Sequence, residues 1–153
     1  MLKQCLICER INTIKDHSNL FYVTELTSGY VVMGDHQFYK GYALLLSKEH
    51  KKELHELSFI NRQYFLADMA ILAEAIYKVF HPNKLNYELL GNEISHLHWH
   101  IFPRYNNDPK PTLPIWALDQ TIREAAHTVP TITELTFLKK KLLHEINNLI
   151  KNH

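Results

Sequence analysis

Glycine is scarce in this chain of 153 residues, with Gly29, Gly34, Gly41 and Gly91 as its four widely separated copies. The two common glycine-rich phosphate-binding signatures, G-x-x-x-x-G-K-[ST] and G-x-G-x-x-G, need glycines at close spacing, so both are excluded. If the protein handles phosphates, it must therefore bind them through side chains and through the ends of helices or strands.

Long apolar runs and an excess of either charge are also missing. No stretch of the sequence approaches the roughly 20 apolar residues of a membrane-spanning helix, and the first five residues lack the apolar core of a signal peptide. The net charge of +1 is spread over interspersed acidic and basic residues, which disfavours a nucleic-acid-binding surface. We therefore expect a cytoplasmic protein without membrane or nucleic-acid partners.

Cysteine occurs only twice, as the C-x-x-C pair Cys5 and Cys8. In a reducing compartment this spacing indicates a metal-binding or redox-active pair rather than a structural disulfide. A redox dithiol is disfavoured because the βαβ context of thioredoxin-type proteins is missing from the surrounding pattern.

Hydrophobic periodicity predicts an α+β fold with an antiparallel, five-stranded meander sheet. We expect one domain over residues 1–153, with a core over 1–105, an irregular segment over 106–130 that holds four of the six prolines, and a C-terminal helix over 131–151 that opens with a capping box. The predicted elements before it are a helix over 6–15, strands over 20–26, 30–33 and 42–46, a long helix over 58–80, and strands over 85–90 and 96–103.

Histidine is abundant, with eleven copies, and His96, His98 and His100 lie within five residues. Side chains alternate along a strand, so these three point the same way at intervals of about 6.6–6.8 Å, while the residues between them are apolar. A merely solvated strand face would carry Thr, Lys, Glu or Ser instead. Imidazole is mostly neutral at pH 7 and suits nucleophilic work. The row predicts either a metal site or a nucleophile flanked by phosphate-binding groups.

The run His-Leu-His-Trp-His-Ile-Phe at 96–102 resembles the H-φ-H-φ-H-φ-φ signature of the histidine-triad (HIT) family. Pro103-Arg104, the Cys5-x-x-Cys8 pair and a histidine after the third strand, His50, also resemble bacterial members. The sequence around residues 39–42 and 96–105 looks most like proteins described as diadenosine tetraphosphate hydrolases. The resemblance covers residues 1 to about 105. It implies a HIT-like fold and a homodimer joined edge to edge through the sheets.

The resemblance also implies a reaction. The middle histidine, His98, would attack the α-phosphorus of a nucleotide and form a covalent nucleotidyl-histidine that water resolves, and His100 would contact the phosphate oxygens. Substrates in this family are nucleoside polyphosphates, dinucleoside polyphosphates such as diadenosine tetraphosphate, and nucleoside phosphoramidates.

A structural zinc ion is a further implication of the resemblance. Two cysteines and two histidines form a closed tetrahedral set that leaves no position for water. The implied ligands are Cys5, Cys8, His50 and His96, and His36 and His55 are the alternatives. An unmetallated C-x-x-C is the simpler interpretation.

Two features depart from the family pattern. Many members carry a histidine where this chain has Tyr42, and they have a longer Gly- and Gln-containing loop before the triad. The connection here is only residues 90–95. Asn92 and Ser95 are its available hydrogen-bond donors, so we expect them to bind phosphate.

Three other residues are candidates for contacts with a nucleotide. Asp35 is placed to bind ribose hydroxyls, although an ordinary turn aspartate has the same pattern. Arg104 is a candidate for neutralising a polyphosphate, or for bridging to a dimer partner or solvent. Trp116 either stacks on a base or packs onto the core.

Three hypotheses follow. The first is a nucleotide hydrolase that acts through His98. The second is a non-catalytic, zinc-stabilised nucleotide-binding protein, motivated by Tyr42 and by the altered loop. The third is a catalytic metal site on the triad itself, which would involve His98 and His100.

Overall fold

The computed structural model describes residues 5–152, which form a five-stranded antiparallel sheet with α-helices. The predicted α+β fold class is confirmed. The strands are β1 (Tyr22–Glu25), β2 (Gly29–Met33), β3 (Ala43–Ser47), β4 (Lys84–Glu88) and β5 (His98–Arg104). The helices are α1 (Leu6–Lys15), α2 (Phe59–Phe80), α3 (Gln120–Arg123) and α4 (Ile132–Asn152).

Local signals place the helix ends. Helix α2 begins after Ser58, whose side chain accepts a hydrogen bond from the backbone N–H of Asn61 at 3.2 Å. The predicted capping box at α4 is present, because Thr131 Oγ1 accepts from the N–H of Glu134 at 3.2 Å and the Glu134 carboxylate accepts from the N–H of Thr131 at 2.8 Å. None of the helices among the described residues is long and apolar enough to cross a membrane.

The strand order is β1-β2-β3-β5-β4, so the predicted meander needs one correction. After β3, helix α2 leads to β4, which lies at the edge of the sheet and not beside β3. Strand β5 then lies between β3 and β4. Burial gives the physical reason. Strand β5 is largely buried, whereas β4 has exposed residues, with Tyr87 47% exposed, and therefore suits an edge.

Helices cover the two faces of the sheet unequally. Helices α2 and α4 contribute to a core on one face of the sheet, where Leu45, Ile101, Phe65 and Leu142 belong to one cluster of buried apolar residues. Helix α1 covers part of the other face through a smaller cluster of apolar side chains, among them Ile7. The rest of that second face is left open to a cavity. Strand β3 is buried along its whole length because it lies between both layers.

The register between β3 and β5 settles which face each histidine takes. Leu46 pairs with His98 and Leu44 pairs with His100 on the α1 face. The predicted alternation is therefore confirmed for these two histidines. Strand β5 begins two residues later than predicted, at His98, because the N–H of Leu97 donates to the carbonyl of Lys51 at 2.8 Å in the loop after β3.

Candidate functional site

A cluster of two cysteines and two histidines lies beside the start of β5. Cys5 precedes α1, Cys8 lies in its first turn, His50 follows β3 and His96 precedes β5. Their potential ligand atoms all lie within 4.8 Å of one another. Within residues 5–152, this is the only group of three or more His, Cys, Asp or Glu side chains that come together in this way.

The closest contacts in this cysteine–histidine cluster join sulfur to imidazole nitrogen. His96 Nδ1 lies 3.5 Å from Cys5 Sγ and 3.4 Å from Cys8 Sγ. His50 Nδ1 lies 3.1 Å from Cys8 Sγ. A tetrahedral ion with bonds of about 2.3 Å to sulfur and about 2.0 Å to nitrogen needs ligand separations of about 3.3–3.8 Å. The cluster therefore has the donors of a tetrahedral metal site, and its three closest separations lie in or near this range.

The backbone fixes the protonation of His96, whose side chain is buried. Its Nε2 lies 2.9 Å from the carbonyl oxygen of Ser47. A carbonyl only accepts, so Nε2 carries the proton and donates. Nδ1 is left with a lone pair that faces the two sulfurs, which is the arrangement that orients metal-ligating histidines.

The second feature is a cavity of about 600 Å³ on the α1 face of the sheet, within the ~300–1,000 Å³ range of ligand pockets. His98, His100 and Phe102 of β5 lie on its sheet side. Helix α1 lies along one flank and the segment 116–124 along another. The remaining lining residues are Tyr39, Tyr42, Leu44, Phe38, His36, Asp35, Glu93 and Ile94.

His98 is held in one tautomer. Its Nδ1 lies 2.6 Å from the carbonyl oxygen of His96, so Nδ1 carries the proton and donates. Burial lowers the pKa of His98, and the ring is therefore neutral with a bare Nε2. A neutral imidazole with an available lone pair on the wall of a pocket is a competent nucleophile.

His100 lies beside it, with the two ring centroids 4.6 Å apart. His100 Nδ1 is 2.6 Å from the hydroxyl oxygen of Tyr42. Burial lowers the pKa of His100 to about 3, so this ring is also neutral. The side chain of Tyr42 thus makes direct contact with the row of histidines.

Charged side chains enter the cavity from both flanks. Arg10 of α1 forms an ion pair with Asp35, and both line the cavity. Arg123 of α3 lines it from the other flank, with its guanidinium carbon 4.9 Å from the ring centroid of Trp116. Sequence reasoning singled out Asp35 and Trp116 but missed both arginines. Arg10 follows the apolar Ile7 by one helical turn, which is a weak signal, and Arg123 lies in a segment without periodicity.

Arg104 is placed differently from the prediction. It is 4% exposed, and it is not among the described residues that line the cavity. Its guanidinium donates to Asp108 and Asn86 and to the carbonyls of Lys110 and Leu113, at 2.8–2.9 Å. These contacts tie β5 to the loop that follows it or to β4, and the phosphate role of Arg104 stays a prediction.

The loop before the triad also differs from the expectation. Asn92 and Ser95 are exposed and lie outside the cavity lining, whereas their neighbours Glu93 and Ile94 line it. Trp116 lines the cavity edge-on to His100, with the ring centroids 6.5 Å apart. Its indole N–H donates to the carboxylate of Glu88 at 2.7 Å.

The two alternative metal ligands lie elsewhere. His36 lines the cavity and its Nδ1 is 2.8 Å from Thr128 Oγ1. His55 lies in a short 3-10 helix, Leu54–Glu56. His98 and His100 do not belong to the cysteine–histidine cluster, so the described chain does not favour a metal site on the triad itself.

Comparisons with known proteins identify relatives of this chain. The chain is similar to the adenosine 5'-monophosphoramidase hnt1 of Schizosaccharomyces pombe, with 34% identity over 76 residues, which are 45% of this chain and 53% of that protein. It thus spans about half the length of this curated relative.

Solved structures share the fold. A histidine triad protein from Marinobacter aquaeolei VT8 is 25% identical and aligns with a TM-score of 0.72 over 84% of this chain and 89% of that one. A zinc-bound histidine triad family protein from Mycobacterium smegmatis is 16% identical and aligns with a TM-score of 0.68 over 98% of each chain. The sequence profile of the HIT domain matches residues 15–107. Because that match covers more than half of the 153 residues, the chain belongs to the histidine-triad (HIT) family.

Proposed function

We propose that this protein is a nucleotide hydrolase or transferase that cleaves its substrate at the α-phosphorus through a covalent intermediate on His98. The observation that carries the proposal is the tautomer of His98. The backbone carbonyl of His96 holds the Nδ1 proton, so the lone pair of Nε2 is available in a side chain that lines a nucleotide-sized cavity. Membership of the HIT family supports the same reaction class.

The proposed reaction has two steps. In the first, His98 Nε2 forms a bond to the α-phosphorus while the bond from phosphorus to the leaving group breaks, and the leaving group departs with the electron pair. In the second, a water oxygen bonds to phosphorus, the phosphorus–nitrogen bond breaks, and its electron pair returns to Nε2. One proton of that water passes to solvent, which also protonates a basic leaving group. The net change is the addition of one water molecule, without oxidation or reduction.

Positioning and charge stabilisation dominate this chemistry. The cations in the cavity lining near His98 are Arg10 and Arg123, and the lining also includes Asp35, Glu93 and Glu124. We assign contacts with phosphate oxygens to His100, Arg10 and Arg123. Asp35 is assigned to the ribose hydroxyls, with Arg10 holding its carboxylate in place.

Two substrate classes are proposed. The similarity to an adenosine 5'-monophosphoramidase favours nucleoside phosphoramidates. The sequence around residues 39–42 and 96–105 favours dinucleoside polyphosphates such as diadenosine tetraphosphate. Incubation with adenosine phosphoramidate and, separately, with diadenosine tetraphosphate, followed by chromatographic product analysis, ranks the two classes.

The decisive variant is His98→Asn. We expect kcat to fall by at least about 10³-fold, because a nucleophile is lost, while nucleotide binding and the melting temperature stay close to wild type. His55→Asn is the matched control, since His55 is exposed and lies outside the cavity. Mass spectrometry of the wild type, quenched during turnover, is expected to find a nucleotidyl adduct that the variant lacks. Full turnover by His98→Asn would sink the proposal.

We also propose that Cys5, Cys8, His50 and His96 hold a structural zinc ion. The ligand separations, the free Nδ1 lone pair of His96 and the zinc-bound relative from Mycobacterium smegmatis support this assignment. Four protein ligands complete a tetrahedron, so zinc bound there would stabilise the fold and take no part in the reaction. It would tie the start of α1 to the ends of two neighbouring strands.

A second candidate function is nucleotide binding without turnover. The observation that favours it is the loop before the triad, which brings the acidic side chain of Glu93 to the cavity in place of Asn92 and Ser95. Micromolar binding of both test substrates without product formation would favour this alternative.

A homodimer and a cytoplasmic location stay predictions. Strands β1 and β4 each pair with a single neighbour in the described sheet, so the sheet has two open edges at which a second copy can add. Light scattering coupled to size-exclusion chromatography measures the oligomeric state.

A further inference from the structure

Tyr42 occupies a position that the proposed reaction has not yet used. Its hydroxyl oxygen lies 2.6 Å from His100 Nδ1, and within residues 5–152 the hydroxyl has no other hydrogen-bond partner. We propose that Tyr42 is a positioning residue that fixes His100 as the Nε2–H tautomer, opposite to the tautomer of His98. The chemical consequence rests on the proposed function, but the tautomer itself does not.

The direction of this hydrogen bond follows from the donors and acceptors present. A neutral imidazole has one N–H and one lone pair, and a phenol has one O–H. If His100 donated from Nδ1, the Tyr42 proton would be left without an acceptor among the described residues, which costs roughly 1–3 kcal/mol for a buried group. If Tyr42 donates, its hydroxyl is satisfied and the His100 proton resides on Nε2, which is not among the fully buried, unpartnered side-chain atoms of the described residues.

The surroundings keep both groups uncharged. Burial raises the pKa of Tyr42, so the hydroxyl retains its proton, and burial lowers the pKa of His100 to about 3. The charged or titratable groups that act on Tyr42 and His100 lie on several surrounding elements. They are Arg10 of α1, Asp35 of the loop before β3, Glu88 of β4, Glu124 after α3, and His98 of β5.

Packing holds the Tyr42 ring in place. It stacks on Phe102 with a centroid separation of 4.0 Å and an interplanar angle of 11°. Its other surroundings include Gly34, where any Cβ would collide with the ring. The side-chain amide of Gln37 holds the backbone at Gly34 and at Tyr42, because it donates to the carbonyl of each residue at 2.9 Å. The hydroxyl is therefore presented from a rigid support.

The two neighbouring histidines thereby become chemically different. His98 offers a bare Nε2, because a backbone carbonyl binds its Nδ1 proton. His100 offers an Nε2–H, because a phenol donates to its Nδ1. One ring supplies the lone pair that attacks phosphorus, and the other supplies a donor for the phosphate oxygens, which gain charge in the transition state. The reverse tautomer of His100 would turn a lone pair toward those oxygens and repel them.

The test combines nuclear magnetic resonance of isotope-labelled imidazole nitrogens with kinetics. In the wild type, the proton of His100 is expected on Nε2 and that of His98 on Nδ1. Tyr42→Phe keeps the stacked ring but removes the donor, so His100 is expected to exchange between tautomers while His98 stays unchanged. We expect kcat to fall by about 10-fold with KM within about two-fold, since a transition-state donor is weakened.

Tyr105→Phe is the matched control. It also removes a single hydroxyl, which donates to the carbonyl of Lys40 at 2.7 Å outside the cavity, and it is expected to leave the tautomers and kcat unchanged. A wild-type spectrum with the His100 proton on Nδ1 overturns the proposal, and this measurement does not depend on whether Tyr42→Phe folds. A Tyr42→Phe spectrum in which His100 keeps the wild-type tautomer also overturns the proposal. If no substrate is turned over but the tautomers behave as expected, the proposed function fails and the role of Tyr42 stands.

Discussion

His96 and His98 lie two residues apart, and each has one ring nitrogen tied to a backbone carbonyl. The carbonyl of Ser47 holds Nε2 of His96, whereas the carbonyl of His96 holds Nδ1 of His98. Opposite nitrogens are therefore left bare. The bare Nδ1 of His96 faces two thiols in the cysteine–histidine cluster and suits a metal. The bare Nε2 of His98 belongs to a side chain that lines the cavity and suits a nucleophile. The difference between the two sites is set by which nitrogen the backbone occupies.

The two regions also differ in how open they are to a further ligand. The cluster joins chain segments that are 42 to 91 residues apart in sequence, as the Cys8–His50 and Cys5–His96 contacts show, and its four ligands leave no room for a further partner. The cavity is open and carries charged side chains on two flanks. Since the carbonyl of His96 also accepts a hydrogen bond from Nδ1 of His98, a tightly held cluster would fix the geometry of the proposed nucleophile.

The largest expected effect comes from breaking the cluster. Cys8→Ser is expected to release the metal and to lower the free energy of unfolding by more than about 4 kcal/mol, as losing a structural metal does. His98→Asn, two residues from the cluster's His96, is expected to keep the metal and the stability. Elemental analysis and denaturant unfolding of both variants measure the contrast. Stoichiometric metal in Cys8→Ser, or unchanged unfolding after metal loss, contradicts the structural assignment.

A second pair of variants sharpens the description of the cavity. Arg104→Gln is expected to lower the free energy of unfolding by about 3–5 kcal/mol, because the Asp108 side chain, 8% exposed, loses its partner. KM is expected to stay near wild type. Arg123→Gln is expected to raise KM about 10-fold, or about 1.4 kcal/mol, because it removes a cation from the cavity wall. The melting temperature should change little.

Kinetics and denaturant unfolding on the same two arginine variants provide the measurement. A rise in KM for Arg104→Gln without loss of stability would restore the role that the sequence suggested. An unchanged KM in Arg123→Gln would remove Arg123 from the binding site.

The effect expected to be smallest at neutral pH is a pH dependence that belongs to His100. Its pKa falls from 6.5 in the unfolded chain to about 3 in the folded protein because of burial. Between these values the unfolded state binds more protons, so this contribution to stability is present above pH 6.5 and is lost as the pH falls toward 3. The slope is at most about 1.4 kcal/mol per pH unit.

Unfolding curves of the wild type and His100→Gln across this pH range isolate the contribution. The difference in free energy between the two proteins is expected to shrink as the pH falls, whereas His55→Gln should follow the wild type. Parallel curves for the wild type and His100→Gln would show that His100 is not held neutral by burial.

Much of the fold was predictable because it depends on local patterns. The apolar periodicity of α1 and α2 placed those helices within one residue of their observed ends, and Thr131 with Glu134 placed the start of α4. The order of the last two strands was not predictable in this way. It depends on which strand is buried on both faces, and that is settled only when α2 packs against the sheet.

The cysteine–histidine cluster was anticipated through the family resemblance and the shared face of the histidines through strand alternation, while the rim of the cavity was not anticipated. Arg104 adjoins the histidine motif in sequence, yet it turns into the loop after β5. Arg123, 23 positions from His100 in the printed sequence, lines the cavity. Sequence distance does not indicate this, because the segment 116–124 lines the cavity on the open face of the sheet.

By itself the sequence determined the alternation of β5, and hence that His98 and His100 share one face while Trp99 and Ile101 take the other. Alternation is a property of the extended backbone and needs no partner. The tertiary structure decided the proton on each imidazole, through Ser47, the carbonyl of His96 and Tyr42. A tautomer is chosen by the group that approaches the ring, and two of these three groups come from chain segments more than 45 residues away.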